Sequence, residues 1–169
     1  MTNHVSKWVS HRKWIFVAAG VPVFAAAWWA FRPEKLWINQ KVNEPAPLAA
    51  ALEPQPLFTG HLEGKAHPTR GRATIYKSPD GKLYLRLTGF MTSNGPDVHV
   101  VLARSDDKGL EQQIVKGGLN DVELGPLKGN QGDQNYDLPA SADLNEYRAV
   151  VVYCERFHAV FGLARLEPF

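Results

Sequence analysis

Arg72-Ala73-Thr74-Ile75-Tyr76-Lys77-Ser78-Pro79-Asp80-Gly81-Lys82-Leu83-Tyr84-Leu85-Arg86-Leu87-Thr88 decides the fold class. Leu83, Leu85 and Leu87 alternate with Tyr84, Arg86 and Thr88, the period-two pattern of a strand with one buried face. Arg72–Lys77 is a strand of similar character. Between them Ser78–Gly81 makes a hairpin turn, with proline presetting φ and glycine taking positive φ. Working outward, Val98, Val100 and Leu102 alternate with His99, Val101 and Ala103. Val150, Val152 and Cys154 alternate with Ala149, Val151 and Tyr153. Phe58–Leu62 reads as a first strand, His158–Leu166 as a last, and another lies near Asp121–Leu124. About seven short strands with glycine and proline turns predict a mostly β fold, a single sandwich or barrel-like domain. The one helical candidate is a short turn at Ser141–Glu146, with Ser141 as its cap.

The amino-terminal third has a different character. Trp14 to Phe31 (WIFVAAGVPVFAAAWWAF) carries no charge over 18 residues. As a helix it would span about 27 Å, close to the hydrocarbon thickness of a bilayer. Trp14 opens the run and Trp28–Trp29 close it, as in aromatic belts at two interfaces. Pro22 is tolerated in such a helix, and Gly20 offers a small surface for helix contact. A cleaved signal peptide is the competing reading, but the run exceeds the usual apolar core of one. Lysine and arginine counts on the two sides tie, and the Arg12–Lys13 pair tips the amino terminus inward. The expectation is a single-pass protein of the inner membrane, in contact with the lipid bilayer. Residues 1–13 would be cytoplasmic, 14–31 a transmembrane α-helix, 32–56 a proline-rich linker and 57–169 a periplasmic β domain.

The 169 residues sum to a net charge of +2. Residues 57–169 hold 13 Lys and Arg against 14 Asp and Glu, a net −1, so the basic excess belongs to the membrane flanks and linker. No basic stripe remains for nucleic acid. One cysteine excludes an intramolecular disulfide, a cysteine-rich zinc site and a CxxCH haem attachment.

Three stretches carry a family resemblance: Gly95-Pro96-Asp97-Val98-His99-Val100-Val101-Leu102; Leu124 to Tyr136 (LGPLKGNQGDQNY) with Leu138-Pro139; and Val150 to Phe157 (VVVYCERF) with Val160 to Leu166 (VFGLARL). Together they resemble the DM-thirteen domain, found beside DOMON and cytochrome b-type modules in proteins assigned to electron transfer. The resemblance implies a compact β domain outside the cytoplasm. It also implies a characteristic cysteine, matched by Cys154, for which redox or haem-binding roles have been proposed. It implies no established activity.

Among individual residues, Cys154 is a redox thiol or thiolate ligand on one reading and a small buried hydrophobe on the other. Cys154, His158 and His99 are the candidate copper set, short of the methionine such sites usually hold. His61 and His67 lack zinc spacing. Asp97, Asp133 and Glu155 would serve as acid and base only if the fold paired them, and no pattern does so; a hydrolase is unsupported. The motif residues Gly125, Lys128, Gly129, Gly132, Asp133, Gln134 and Tyr136 read as a long structured loop, or as a recognition surface. The expected role is a non-catalytic accessory subunit of a membrane electron-transfer complex, respiratory or photosynthetic, in contact with its other subunits and with no cofactor of its own. The alternative is a redox carrier or sensor using Cys154, with haem or copper.

Overall fold

The Arg72–Thr88 hairpin forms with Lys77 opposite Leu83, Ile75 opposite Leu85 and Ala73 opposite Leu87. Gly81 takes φ +86° at its turn, and Gly81 N–H donates to Ser78 O at 2.8 Å. The structure, a computed structural model, describes residues 20–26, 28–29, 38–47, 53–104 and 121–169. Its strands are β1 (Gln55–Gly64), β2 (Arg70–Lys77), β3 (Leu83–Met91), β4 (Val98–Ala103), β5 (Val122–Pro126), β6 (Gln134–Asp137), β7 (Ala149–Cys154), β8 (Ala159–Arg165) and β9 (Glu167–Pro168).

The strands follow the order β5-β4-β7-β8-β1-β2-β3-β6, with β9 added alongside β1, and every pairing between strands is antiparallel. β1 changes partner along its length: residues 55–61 pair with β2, and Leu62–Gly64 pair with β8. The two halves of the sheet therefore meet at β1 and fold over one core. Ile75, Leu85 and Leu87 come from one half, and Val100, Val150, Val152 and Cys154 from the other. The path's end strands, β5 and β6, are joined by residues 127–133, and Leu127 N–H donates to Val98 O at 2.7 Å. The result is a nearly closed, barrel-like sheet, which bears out the mostly β reading.

β7 is buried on both faces. Val150, Val152 and Cys154 enter the main core, while Val151 and Tyr153 join Val101, Ala103, Ala149 and Leu163 in a second, outer cluster. The alternation read from the sequence is correct, but both of its phases are apolar environments.

Three local expectations change. Gln134–Asp137, read as loop, is a strand pairing with β3, because its buried positions are Gln134 and Tyr136 rather than aliphatic residues. Ser141–Glu146 is not helical: Ala142 N–H bonds Pro139 O and Glu146 N–H bonds Asp143 O, giving two successive turns. Asp143, not Ser141, caps the second, accepting from Asn145 N–H at 3.0 Å. Part of the proline-rich linker is docked as well. Residues 38–47 run as an extended strap along the loop between β5 and β6, and Lys41 makes a parallel bridge to Gln131.

Residues 20–26 and 28–29 are helical, Gly20 and Pro22 included, and all of these are exposed. No helix among the described residues is long and apolar enough to cross a membrane. Trp14, with the rest of 1–19, lies outside the described residues.

Candidate functional site

The second motif builds its loop from the inside. The Gln134 side chain, fully buried, donates from Nε2 to Gly129 O at 2.7 Å. Its Oε1 accepts from Lys128 N–H at 3.1 Å, Gly129 N–H at 3.3 Å and the Tyr136 hydroxyl at 2.8 Å. One amide thus satisfies backbone groups that burial would otherwise leave costly. Burial pushes the Tyr136 phenol up to about 12, so it remains a donor at neutral pH.

The outside of the same loop holds the strap. Val42 N–H donates to Gln131 O and Glu44 N–H to Asp133 O, both at 2.9 Å; Gln131 N–H returns a bond to Gln40 O at 3.3 Å. The motif glycines make this approach possible: a Cβ on Gly132 would lie 1.9 Å from Val42 O, and one on Gly129 2.5 Å from Gln40 O. Lys128 Nζ reaches both Glu44 carboxylate oxygens at 2.8 and 3.0 Å, and Asn135 N–H donates to Glu44 Oε2 at 2.7 Å. Burial alone would raise the Glu44 pKa, but the bonds from Lys128 and Asn135 outweigh it, and the carboxyl lies below its ordinary value. Arg86 ties the strap to β3, donating to Glu44 O at 3.1 Å and pairing with Asp133 at 2.8 Å.

Where the strap begins, it walls a cleft of about 420 Å³. Across it Asn39 and Gln40 face Asn94, which precedes the first motif, Pro96 and Asp97 of that motif, and Asn130 of the second. Asn130 fastens these walls together. It accepts from Gln40 N–H at 2.7 Å and donates to Asn39 Oδ1 at 2.9 Å. The first and second motifs, some 30 positions apart in sequence, therefore shape one cavity.

Asp97 leads from the cleft to a histidine held among carboxylates. His99 Nε2 lies 3.0 Å from Asp97 Oδ1 and 3.9 Å from Glu155 Oε2, and its Nδ1 lies 2.5 Å from Glu123 Oε1. The β4–β7 pairing brings Asp97 and Glu155 together at one end, with Glu155 N–H donating to Asp97 O at 3.0 Å. A bulge brings Glu123. Pairing runs Val100 to Gly125 and then Val101 to Glu123, leaving Leu124 extra, with Gly125 at φ +130°. In unbroken register Glu123 would face Leu102 and the core; the extra residue turns it onto His99's face. Burial favours a neutral His99 ring, but the Asp97 and Glu123 carboxylates outweigh it and raise the pKa.

Of the three acids weighed from the sequence, the fold thus gathers Asp97 and Glu155, while Asp133 serves the strap. Glu123, Glu44 and Asn39 were missed. Cys154 has no exposed surface and packs in the main core opposite Val98. His99 points to the other side of β4, and His158 sits in the β7–β8 turn at φ +49°, its Nδ1 2.8 Å from the Tyr153 hydroxyl. Cys154, His158 and His99 therefore do not converge, and the copper set is not assembled. Cys154 lines no described cleft that would admit a haem, so the group fits poorly there.

These features define a barrel-like β domain whose motif residues build one end: a strapped loop, a cleft and a histidine–carboxylate set. Residues 61–166 match the family model described as Electron transfer DM13, and the chain belongs to that family. No curated protein and no solved structure matches it significantly. The matched span holds all three motifs; the strap and the apolar run precede it.

Proposed function

We propose that this chain is a membrane-anchored, non-catalytic accessory subunit of a membrane electron-transfer complex, its β domain standing on the periplasmic face. The observation that carries this reading is the uncharged run 14–31, whose described helical residues expose apolar side chains all round: Val23 is 70% exposed, Phe24 66% and Trp29 81%. Side chains of this kind around a whole helix suit lipid or another apolar helix, not water. The electron-transfer description of the family supports the choice of complex. The docked strap supports the geometry. Only residues 32–37 separate the apolar run from the first strap residue, a reach of about 25 Å at most. The domain would thus be held close to the membrane surface with the cleft on the strap's near side.

Purification in mild detergent tests this. The chain should leave the membrane with cofactor-bearing subunits, and a chain that runs alone overturns the reading. A redox carrier working through Cys154 has less support, because its thiol is enclosed by the core.

A further inference from the structure

We propose that Asp97, His99 and Glu155 bind a divalent transition-metal ion at the mouth of the cleft, with Glu123 orienting the histidine. This site is independent of the membrane reading. One oxygen of Asp97, Nε2 of His99 and one oxygen of Glu155 lie within 4.8 Å of one another. Donor atoms in a tetrahedral zinc shell stand about 3.3 Å apart. The 3.0 Å separation of His99 and Asp97 nearly meets this, and the 3.9 Å to Glu155 closes by a rotation of an exposed side chain.

An imidazole nitrogen separates this set from a patch of surface carboxylates. Carboxylates accept and do not donate, so the short contact with Glu123 places hydrogen on His99 Nδ1. Nε2 then aims at the oxygens of Asp97 and Glu155, an arrangement of acceptors facing acceptors unless a cation lies between them. A proton is one such cation and a metal ion the other. The carboxylate on Nδ1 is the outer partner that metal-bound histidines habitually have. The bulge at Leu124–Gly125, with its positive-φ glycine, has the local effect of delivering that partner. Asp97 also lines the 420 Å³ cleft. Three protein donors leave at least one coordination position for a further ligand, and through Asp97 the set borders the cleft. A nitrogen and two oxygens suit zinc or its neighbours in the first row better than calcium or magnesium.

The test uses the full chain in detergent, stripped with a chelator and titrated with Zn²⁺ at neutral pH. We expect one equivalent of zinc per chain and a shift of the His99 Nε2 resonance larger than that of Nδ1. Asp97→Asn and Glu155→Gln should each weaken binding at least tenfold, and Glu123→Gln, which leaves all three donors, about tenfold or more. His99→Gln should abolish the stoichiometric site. Equal zinc binding by the wild type and His99→Gln overturns the proposal. So does zinc binding that leaves the His99 nitrogens unmoved, or no zinc binding at all, either of which leaves the proton as the cluster's cation. Folding of each variant is checked by its thermal melt, and Glu155→Gln, on an exposed side chain, decides the case if His99→Gln does not fold.

Discussion

Replacing Gly132 by alanine should release the strap while leaving the barrel folded. The new Cβ would sit 1.9 Å from Val42 O and 2.5 Å from Asn43 Oδ1, and the residue holds φ +96°. The clash is with backbone, so no rotamer relieves it. Detachment forfeits three backbone hydrogen bonds, Val42 to Gln131, Glu44 to Asp133 and Gln131 to Gln40. At about 0.5–1.5 kcal/mol net each, that is roughly 1.5–4.5 kcal/mol. A loss of about 3 kcal/mol shifts the docking equilibrium of the strap roughly a hundredfold. Hydrogen exchange measures this directly. Val42 and Glu44 amides should lose their protection in Gly132→Ala, while the amides of β7 keep theirs. Gly81→Ala is the control: its φ is +86° and its Cβ meets nothing within 4 Å, so it carries backbone strain without the collision. If Val42 and Glu44 stay protected in Gly132→Ala, or lose as much in Gly81→Ala, the close approach is not what the motif glycine serves.

Gln134→Ala should lower the melting temperature by roughly 10 °C or more, because Gly129 N–H, Gly129 O and the Tyr136 hydroxyl lose a buried partner at about 1–3 kcal/mol each; a shift under about 2 °C would mean that water takes the amide's place. Glu44 has a lowered folded pKa, so its contribution to the strap is complete above the ordinary value of 4.5 and is lost as pH falls through the lower, folded one. The Asn135 amide resonance should report that titration with a midpoint below 4.5, and a midpoint above it refutes the pairing with Lys128. Cys154 should react with thiol reagents only at the rate of unfolding; stoichiometric labelling of the native protein within seconds would return it to the redox candidates. Gly125→Ala, strained at φ +130°, should disturb the bulge and separate Glu123 from His99, read as loss of their NMR coupling partners without loss of the β4–β7 pairing.

The barrel was legible where burial is written in aliphatic residues. Leu83, Leu85 and Leu87 gave strand, face and hairpin register together, because alternate positions of a strand meet one environment. β6 has the same alternation, but its inward residues are Gln134 and Tyr136, and an amide becomes a core residue only once the loop's backbone is there to bond it. The strap has no apolar period at all; it is held by backbone bonds, by the ties of Glu44, Asn39 and Gln40 to the loop, and by the close approach that glycines nearly ninety positions away allow. The site followed the same division. His99 was placed on an outward face by simple alternation with Val98 and Val100. Its partner Glu123 was hidden because strict alternation fails at the bulge, where one extra residue reverses inside and outside. Cys154 was read both ways, and β7's burial on both faces leaves the thiol no route to solvent.

The partner change within β1 has a consequence in time. Leu62 waits for Ala164, about a hundred residues later, and Phe58 waits for Pro168. Until those residues arrive, the two halves of the sheet have no seam, and the apolar inner faces of β2 and β3 stay open. A chain emerging in order from a ribosome or a translocation channel therefore cannot complete this barrel by stages. Local hairpins form early, but closure is a single late event, and whatever shields β2 and β3 in the interval governs how much of the protein survives to fold.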